Sequence, residues 1–344
     1  MFFTTKIPTS FEGICPLMKT SFFIVTSPLQ LLCAVEAHQY YGVERADLIV
    51  KFGGNPTSNN MLRDMLTEYS IWDNVYEISK KHSFWDLYRT LRKISGSRYA
   101  FIFNAEYNGW FQNVLISNIC YQKRVLYDDG TATLNDYRVY FEPQIASQKK
   151  HIEKELLLRL MGVSRFRPER FKVLELFTMY ELESLPHVII VPNKFAASAK
   201  YREHIGVDHE APIGILGQPL VDVGVVSESY YIRCLKALTK EKRALYFAHR
   251  GESTESLKSL EKFVDIEVIQ DKRPVELSAA KYRVSCMVGF TTTALRTLSL
   301  LYPKLDIRFM RIPDDEFGSE KFRLNARSTY LQCEADRVSE YDFK

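Results

Sequence analysis

Short β-branched and aromatic runs alternate with helical patterns along nearly the whole 344-residue chain, and that alternation leaves few folds open. From Ser21 the runs read SFFIVTS (21–27), ADLIVKF (46–52), NVYEIS (74–79), YAFIFN (99–104) and KRVLYDDG (123–130). Helical patterns separate them: Pro28 opens one reaching about Tyr41, and others cover about 58–69, 84–94 and 110–120. This order predicts a parallel sheet covered on both faces. A second alternation begins at His187, with HVIIVPN (187–193), PIGILGQPL (212–220), RALYFAHRGE (243–252), VDIEVIQ (264–270), a strand–turn–helix over 283–302 and LDIRFMRI (305–312). Helices are expected over about 228–239 and 275–281, and in the tail.

The length fits two α/β domains of roughly 150 residues each. The expected division is an extension over 1–20, with Met18 an alternative start to Met1, a first Rossmann-like domain over 21–185, a second over 186–325, and a C-terminal helix over 326–344 crossing back to the first. The expected fold class is α/β, two Rossmann-like domains facing a central cleft. Ligands of such sheets gather at the carboxyl ends of the strands, so the loops there are the places to search.

Residues 144–172 mix basic side chains with Leu and Phe at helical spacing. Two readings stand: a domain-crossing helix with a solvated basic face, or a helix lying on a membrane surface. No run of about 18 apolar residues predicts a membrane span. The net charge of +4 is short of a nucleic-acid footprint and suits a protein that handles anionic nucleotides. The six cysteines, at 15, 33, 120, 234, 286 and 333, form no CxxC pair and no zinc spacing. Cys33, Cys120 and Cys286 read as buried thiols, and the compartment as reducing cytosol.

Tyr127-Asp128-Asp129-Gly130-Thr131 ends a strand with two adjacent carboxylates. Crowded like charges raise one pKa and make a usable base, while an Asx-type turn explains the same residues without chemistry. Ala248-His249-Arg250-Gly251-Glu252 also follows a strand: His249 and Arg250 are suited to a phosphate, or the loop is a surface turn with an Arg250–Glu252 pair. Gly289-Phe290-Thr291-Thr292-Thr293 precedes a helix; one threonine suffices for a cap, and three after a glycine favour an anion site. Ser27 and Gln30 mark the first strand–helix turn, Gly217 and Gln218 its counterpart in the second half, and Glu276 opens a short helix within reach of ribose hydroxyls. No GxGxxG, Walker loop, HExxH or DxD motif occurs, so no metal or cofactor is called for.

Together these loops resemble the bacterial sialyltransferases and polysialyltransferases, over about residues 21–312. Asp128-Asp129-Gly130 resembles the family's acidic motif, His249-Arg250 its His-Pro motif, and Thr291-Thr292-Thr293 its paired Ser/Thr motif, in the family's order. TSPLQLLCA (26–34) and GILGQPL (214–220) look like family segments too. Arg250 stands where the family has proline, a feature closer to the polysialyltransferase-related branch.

The resemblance implies a GT-B fold and an inverting, metal-independent transfer of a nonulosonic acid, sialic acid first, from its CMP donor to a hydroxyl of a surface glycan or glycolipid. Pseudaminic or legionaminic acid, another nucleotide-sugar donor, and a non-catalytic assembly subunit are the alternatives. It implies Asp129 as general base with Asp128 the alternative, and His249 at the CMP phosphate. Thr291 and Thr292 would hold phosphate oxygens, Glu276 the ribose, and Gly217 and Gln218 the nucleotide side of the cleft. A cytoplasmic enzyme is expected, with contact at the inner membrane face and a homodimer both open.

Overall fold

The computed structural model describes residues 19–145, 151–163, 173–199, 210–240, 242–335 and 338–341. The extension before Lys19, and with it the choice between Met1 and Met18, lies outside them.

The first sheet is parallel throughout and ordered β3-β2-β1-β4-β5-β6-β7. Its strands are β1 (Thr20–Val25), β2 (Arg45–Lys51), β3 (Asn74–Ile78), β4 (Arg98–Asn104), β5 (Cys120–Tyr127), β6 (Leu174–Thr178) and β7 (Val188–Pro192). Connecting them are α1 (Pro28–Tyr40), α2 (Pro56–Glu68), α3 (Ser83–Lys93), α4 (Trp110–Asn118), α5 (Ala132–Asp136) and α6 (Ile152–Leu160). The second sheet repeats the winding as β10-β9-β8-β11-β12-β13, from β8 (Ile213–Leu216), β9 (Ala244–Phe247), β10 (Ile266–Ile269), β11 (Cys286–Gly289), β12 (Asp306–Phe309) and β13 (Ser339–Glu340). Its helices are α7 (Glu228–Thr239), α8 (Thr254–Phe263), α9 (Val275–Ser278), α10 (Thr293–Leu301) and α11 (Glu320–Ala335). Each sheet reverses its winding once, between β1 and β4 and between β8 and β11, and a crevice opens outside the strand ends at such a reversal.

Local chemistry explains the helix starts that frame these crevices. Ser27 caps α1 by accepting the Gln30 N–H at 3.3 Å, with Pro28 preset for the first turn. Asn55 and Pro56 do the same for α2, where Asn55 Oδ1 accepts the Ser58 N–H at 3.0 Å. Phe22, Phe23, Ile24 and Val25 are fully buried, as expected of a strand covered on both faces. One apolar cluster runs from Phe23 and Phe103 of the first domain to Leu216, Phe247 and Leu295 of the second, so the halves are packed together at the foot of the cleft.

The structure departs from the sequence reading in several places. β7 carries the first run of the supposed second domain, yet it pairs with β6, so the first sheet extends through Pro192. β6 itself went unread; LELFT is as apolar as a helix face and follows a basic segment. The described part of the tail belongs to the second domain: α11 packs Tyr330 on Phe309, and β13 adds an edge to β12. Of the 144–172 segment, residues 146–150 and 164–172 lie outside the described residues. Its described helix, α6, buries Leu158 in the first domain's core and leaves Ile152, Leu156 and Leu160 exposed at 74%, 58% and 78%. Of the expected buried thiols, Cys33 is buried, Cys286 is half-buried, and Cys120 is exposed at the outer end of β5.

Candidate active site

At the end of β5 the two acids part, because successive side chains leaving a strand point to opposite sides. Asp128 is fully buried. It accepts the Thr178 hydroxyl at 2.6 Å and the Met179 N–H at 2.7 Å, tying β5 to β6. Burial pushes its carboxyl up to about 7 against those donors. Asp129 turns into the cleft. Its Oδ1 accepts Gln30 Nε2 at 2.8 Å, and its N–H donates to Thr133 Oγ1 at 2.9 Å. Gln30 is oriented in turn by Thr26, whose N–H donates to Gln30 Oε1 at 2.8 Å.

Gly130 has φ +63°, a left-handed conformation suited to glycine, and a Cβ there would lie 2.7 Å from Thr293 Oγ1 of the second domain. The next N–H, of Thr131, donates to that same hydroxyl at 3.3 Å. The acidic loop thus rests against the start of α10. Thr292 caps α10 through the Ala294 N–H at 3.3 Å, leaving Thr293 to meet the first domain.

The His249 loop is built around Glu252, which turns inward rather than pairing with Arg250. Its carboxylate accepts the His249 N–H at 2.6 Å and the Tyr246 hydroxyl, which stands 2.8 Å from that of Tyr231. Burial pushes Glu252 up to about 7. Gly217 has no room for a side chain: a Cβ would fall 2.5 Å from Glu252 Oε2 and 2.7 Å from the Phe247 carbonyl oxygen. The Gly251 N–H donates to His249 Nδ1 at 3.0 Å, which places the proton of the neutral ring on Nε2. The residue borders solvent, but the wall behind the ring and the Arg250 charge push its pKa down to about 4. His249 therefore enters the cleft as a neutral donor at neutral pH.

Arg250 lies in the fields of Glu276 and Asp129, one from each domain. Among the described residues its guanidinium has no hydrogen-bond partner, while its carbonyl accepts Asn55 Nδ2 across the cleft at 2.7 Å. Glu276 is buried at the start of α9, where it accepts the Thr297 hydroxyl at 3.1 Å; burial raises its pKa.

Ser27, Asp129, Gly130, Gly217, His249, Arg250, Glu276, Thr292 and Thr293 line one cavity of about 330 Å³ between the two sheets. Asp128, Gln30, Gln218 and Thr291 stand behind its wall. Gln218 Oε1 accepts the N–H groups of Phe290 and Thr291, at 3.2 and 3.1 Å, so this pair sets the loop before α10 rather than facing the cavity. The sequence reading missed Asn55 and Arg273, the latter lining the same cavity. Only Asn55-Pro56 carried a signal, by repeating the cap-and-proline pattern of Ser27-Pro28. Among the described residues no group of three or more His, Cys, Asp or Glu side chains stands where it could hold a metal ion.

No family model matches the chain, and no curated protein does. Solved structures align over most of the chain at low similarity. A glycotransferase of kitacinnamycin aligns at 10% identity and TM-score 0.49, over 95% of this chain and 87% of the other. MurG from Acinetobacter baumannii aligns at 11% and 0.42, over 94% and 85%. UDP-GlcNAc 2-epimerase from Neisseria meningitidis aligns at 10% and 0.44, over 90% and 86%. The chain's own strand order and cleft establish two Rossmann-like domains in the GT-B arrangement.

Proposed function

We propose that this protein is an inverting, metal-independent glycosyltransferase that moves a nonulosonic acid, sialic acid first, from its CMP-activated form to a glycan hydroxyl. The observation that carries the reading is one cavity with a carboxylate on one wall and an imidazole, a guanidinium and a helix start on the other. A nucleoside monophosphate leaving group needs that second wall. The α10 start and Arg250 favour anionic oxygens, and His249 Nε2 offers a neutral donor. Donors fixed where charge develops stabilise the transition state without reorganising.

In the proposed step Asp129 takes the proton of the acceptor hydroxyl. The freed oxygen bonds to the anomeric carbon from the face opposite the phosphate. The bond from that carbon to the phosphate oxygen breaks, and its electron pair leaves on CMP. Glu276 accepts from the ribose hydroxyls. Gln30 holds the Asp129 carboxylate, and Asp128 braces the loop from β6, which favours Asp129 over Asp128 as the base.

A thermal-shift series with CMP, UDP and GDP tests the nucleotide, and a panel of CMP-sialic, CMP-pseudaminic and CMP-legionaminic acids with chelator present tests the donor and the metal. The reading expects CMP to stabilise the protein most and transfer to persist in chelator. Greater stabilisation by UDP or GDP would move it to another nucleotide-sugar donor. The exposed Ile152, Leu156 and Leu160 of α6 support contact with a membrane surface. Flotation with anionic liposomes, lost on Leu156→Glu, is the expected result.

A further inference from the structure

Behind the second domain's wall of the cavity stands a carboxylate that the proposed step does not use. Gly217 lines the cavity, and a Cβ there would fall 2.5 Å from Glu252 Oε2, so the acid lies one glycine's thickness from the space. The groups facing Glu252 come from every element around it: Tyr246 from β9, Tyr231 and Glu228 from α7, Asp222 from the turn before α7, Ser256 from α8, and His249 from its own loop. Among the described residues no cation pairs with it, since Arg250 lies in the fields of Glu276 and Asp129 instead. Asp222 is partly desolvated, yet bonds from Ser253 and Ser256 hold its pKa below the usual carboxyl range, so it stays charged beside Glu252.

Glu252 also ends a chain of hydroxyls. Its Oε1 is bonded to the Tyr246 hydroxyl, which stands 2.8 Å from that of Tyr231, and Tyr231 hydrogen-bonds with the Gln218 backbone. A hydroxyl both donates and accepts, so the chain can run in either direction. With the acid ionised, Tyr246 donates to Oε1. With the acid neutral, a proton on Oε1 donates to Tyr246, which donates to Tyr231. Oε2 accepts the His249 N–H at 2.6 Å in both states. Protonation therefore changes the charge behind the wall and leaves the His249 loop in place.

That charge opposes any anion lying in front of Gly217, with little water between them to screen it. The effect is reciprocal: an anion that favours the neutral acid raises the acid's affinity for a proton by the same factor. Resting on the reading that an anionic leaving group occupies this cavity, we propose that Glu252 is a proton-coupled positioning residue: it holds the His249 loop, and binding of the donor's phosphate draws a proton from solvent onto Glu252 Oε1, so that the donor is held more tightly below neutral pH than above it.

The test compares wild type, Glu252→Gln and Tyr246→Phe. Without nucleotide, the His249 amide proton is followed by NMR from about pH 5.5 to 9. In wild type it should move with a midpoint of about 7, and in Glu252→Gln it should stay still; the His249 ring, pushed down to about 4, does not titrate in this range. Tyr246→Phe removes a charge-assisted bond to the ionised acid, so its midpoint should rise. CMP and UDP are then titrated calorimetrically. The dissociation constants of wild type and Glu252→Gln should agree at about pH 5.5 and differ about three- to tenfold at about pH 8.5, wild type being the weaker. Titration of the nucleotide's own phosphate is common to both proteins and cancels in this ratio. A wild-type amide without the step, a midpoint unmoved in Tyr246→Phe, or a ratio that does not change with pH overturns the coupling. Binding of UDP with the pH step and no binding of CMP would sink the CMP reading and leave the coupling standing; no binding of either sinks both.

Discussion

The proposed step gives Asp129 and His249 opposite duties, and their surroundings fit each to its own. The Asp129 carboxylate is steered by Gln30, whereas the His249 ring is steered by its own loop through the Gly251 N–H. Asp129→Asn is expected to lower the transfer rate ~100- to 10,000-fold with CMP affinity within about twofold of wild type. His249→Ala should weaken CMP binding about tenfold and transfer by more, as isothermal titration and initial rates would register. Gly217→Ala drives a methyl into Glu252 and the β9 backbone, at a cost of about 2 kcal/mol in chemical denaturation. The sequence made these residues visible because each sits in a short, odd local pattern: two acids before a glycine, His-Arg after an apolar run, three threonines before a helix. Which acid faces the cleft was harder to read, since it depends on the distant partners Thr178, Met179 and Gln30.

At the scale of elements, the loops are set by braces that leave no local trace. Asp128→Ala leaves the Thr178 hydroxyl and Met179 N–H without their acceptor inside the first domain, and should cost about 2–4 kcal/mol. Glu252 supplies a pH test. Its raised pKa means that the fold prefers the neutral acid, so its contribution is complete below the usual carboxyl range and is lost as the pH climbs through 7. Glu252→Gln mimics the neutral form. The variant's melting temperature should therefore match wild type near pH 5 and exceed it near pH 8.5; a constant difference across that range would contradict the assignment. Strand and helix positions were readable from periodicity nearly throughout, because β1, β2, α1 and α2 carry their own apolar pattern, caps and prolines. Sheet membership was not: the run 187–193 is plainly a strand, but nothing local says that it pairs with β6 rather than opening the second domain.

For the whole molecule, the consequence is a cleft whose two walls touch at set points. Thr131 meets Thr293, and Asn55 meets the Arg250 carbonyl. Asn55→Ser keeps a cap for α2 but shortens the arm that crosses the cleft. It should raise the donor KM severalfold with the melting temperature nearly unchanged. The repeated winding of the two sheets was legible as a repeated α/β rhythm, and the facing of their carboxyl ends followed from where ligands of such sheets gather. The contacts that close the cleft were not, since they join residues more than a hundred positions apart. The most direct test of the account is paired CMP titration and single-turnover transfer with wild-type and Asp129→Asn protein. The account predicts that both bind CMP and only wild type transfers at a measurable rate. Near-normal transfer by the variant, or no CMP binding by wild type, would contradict it.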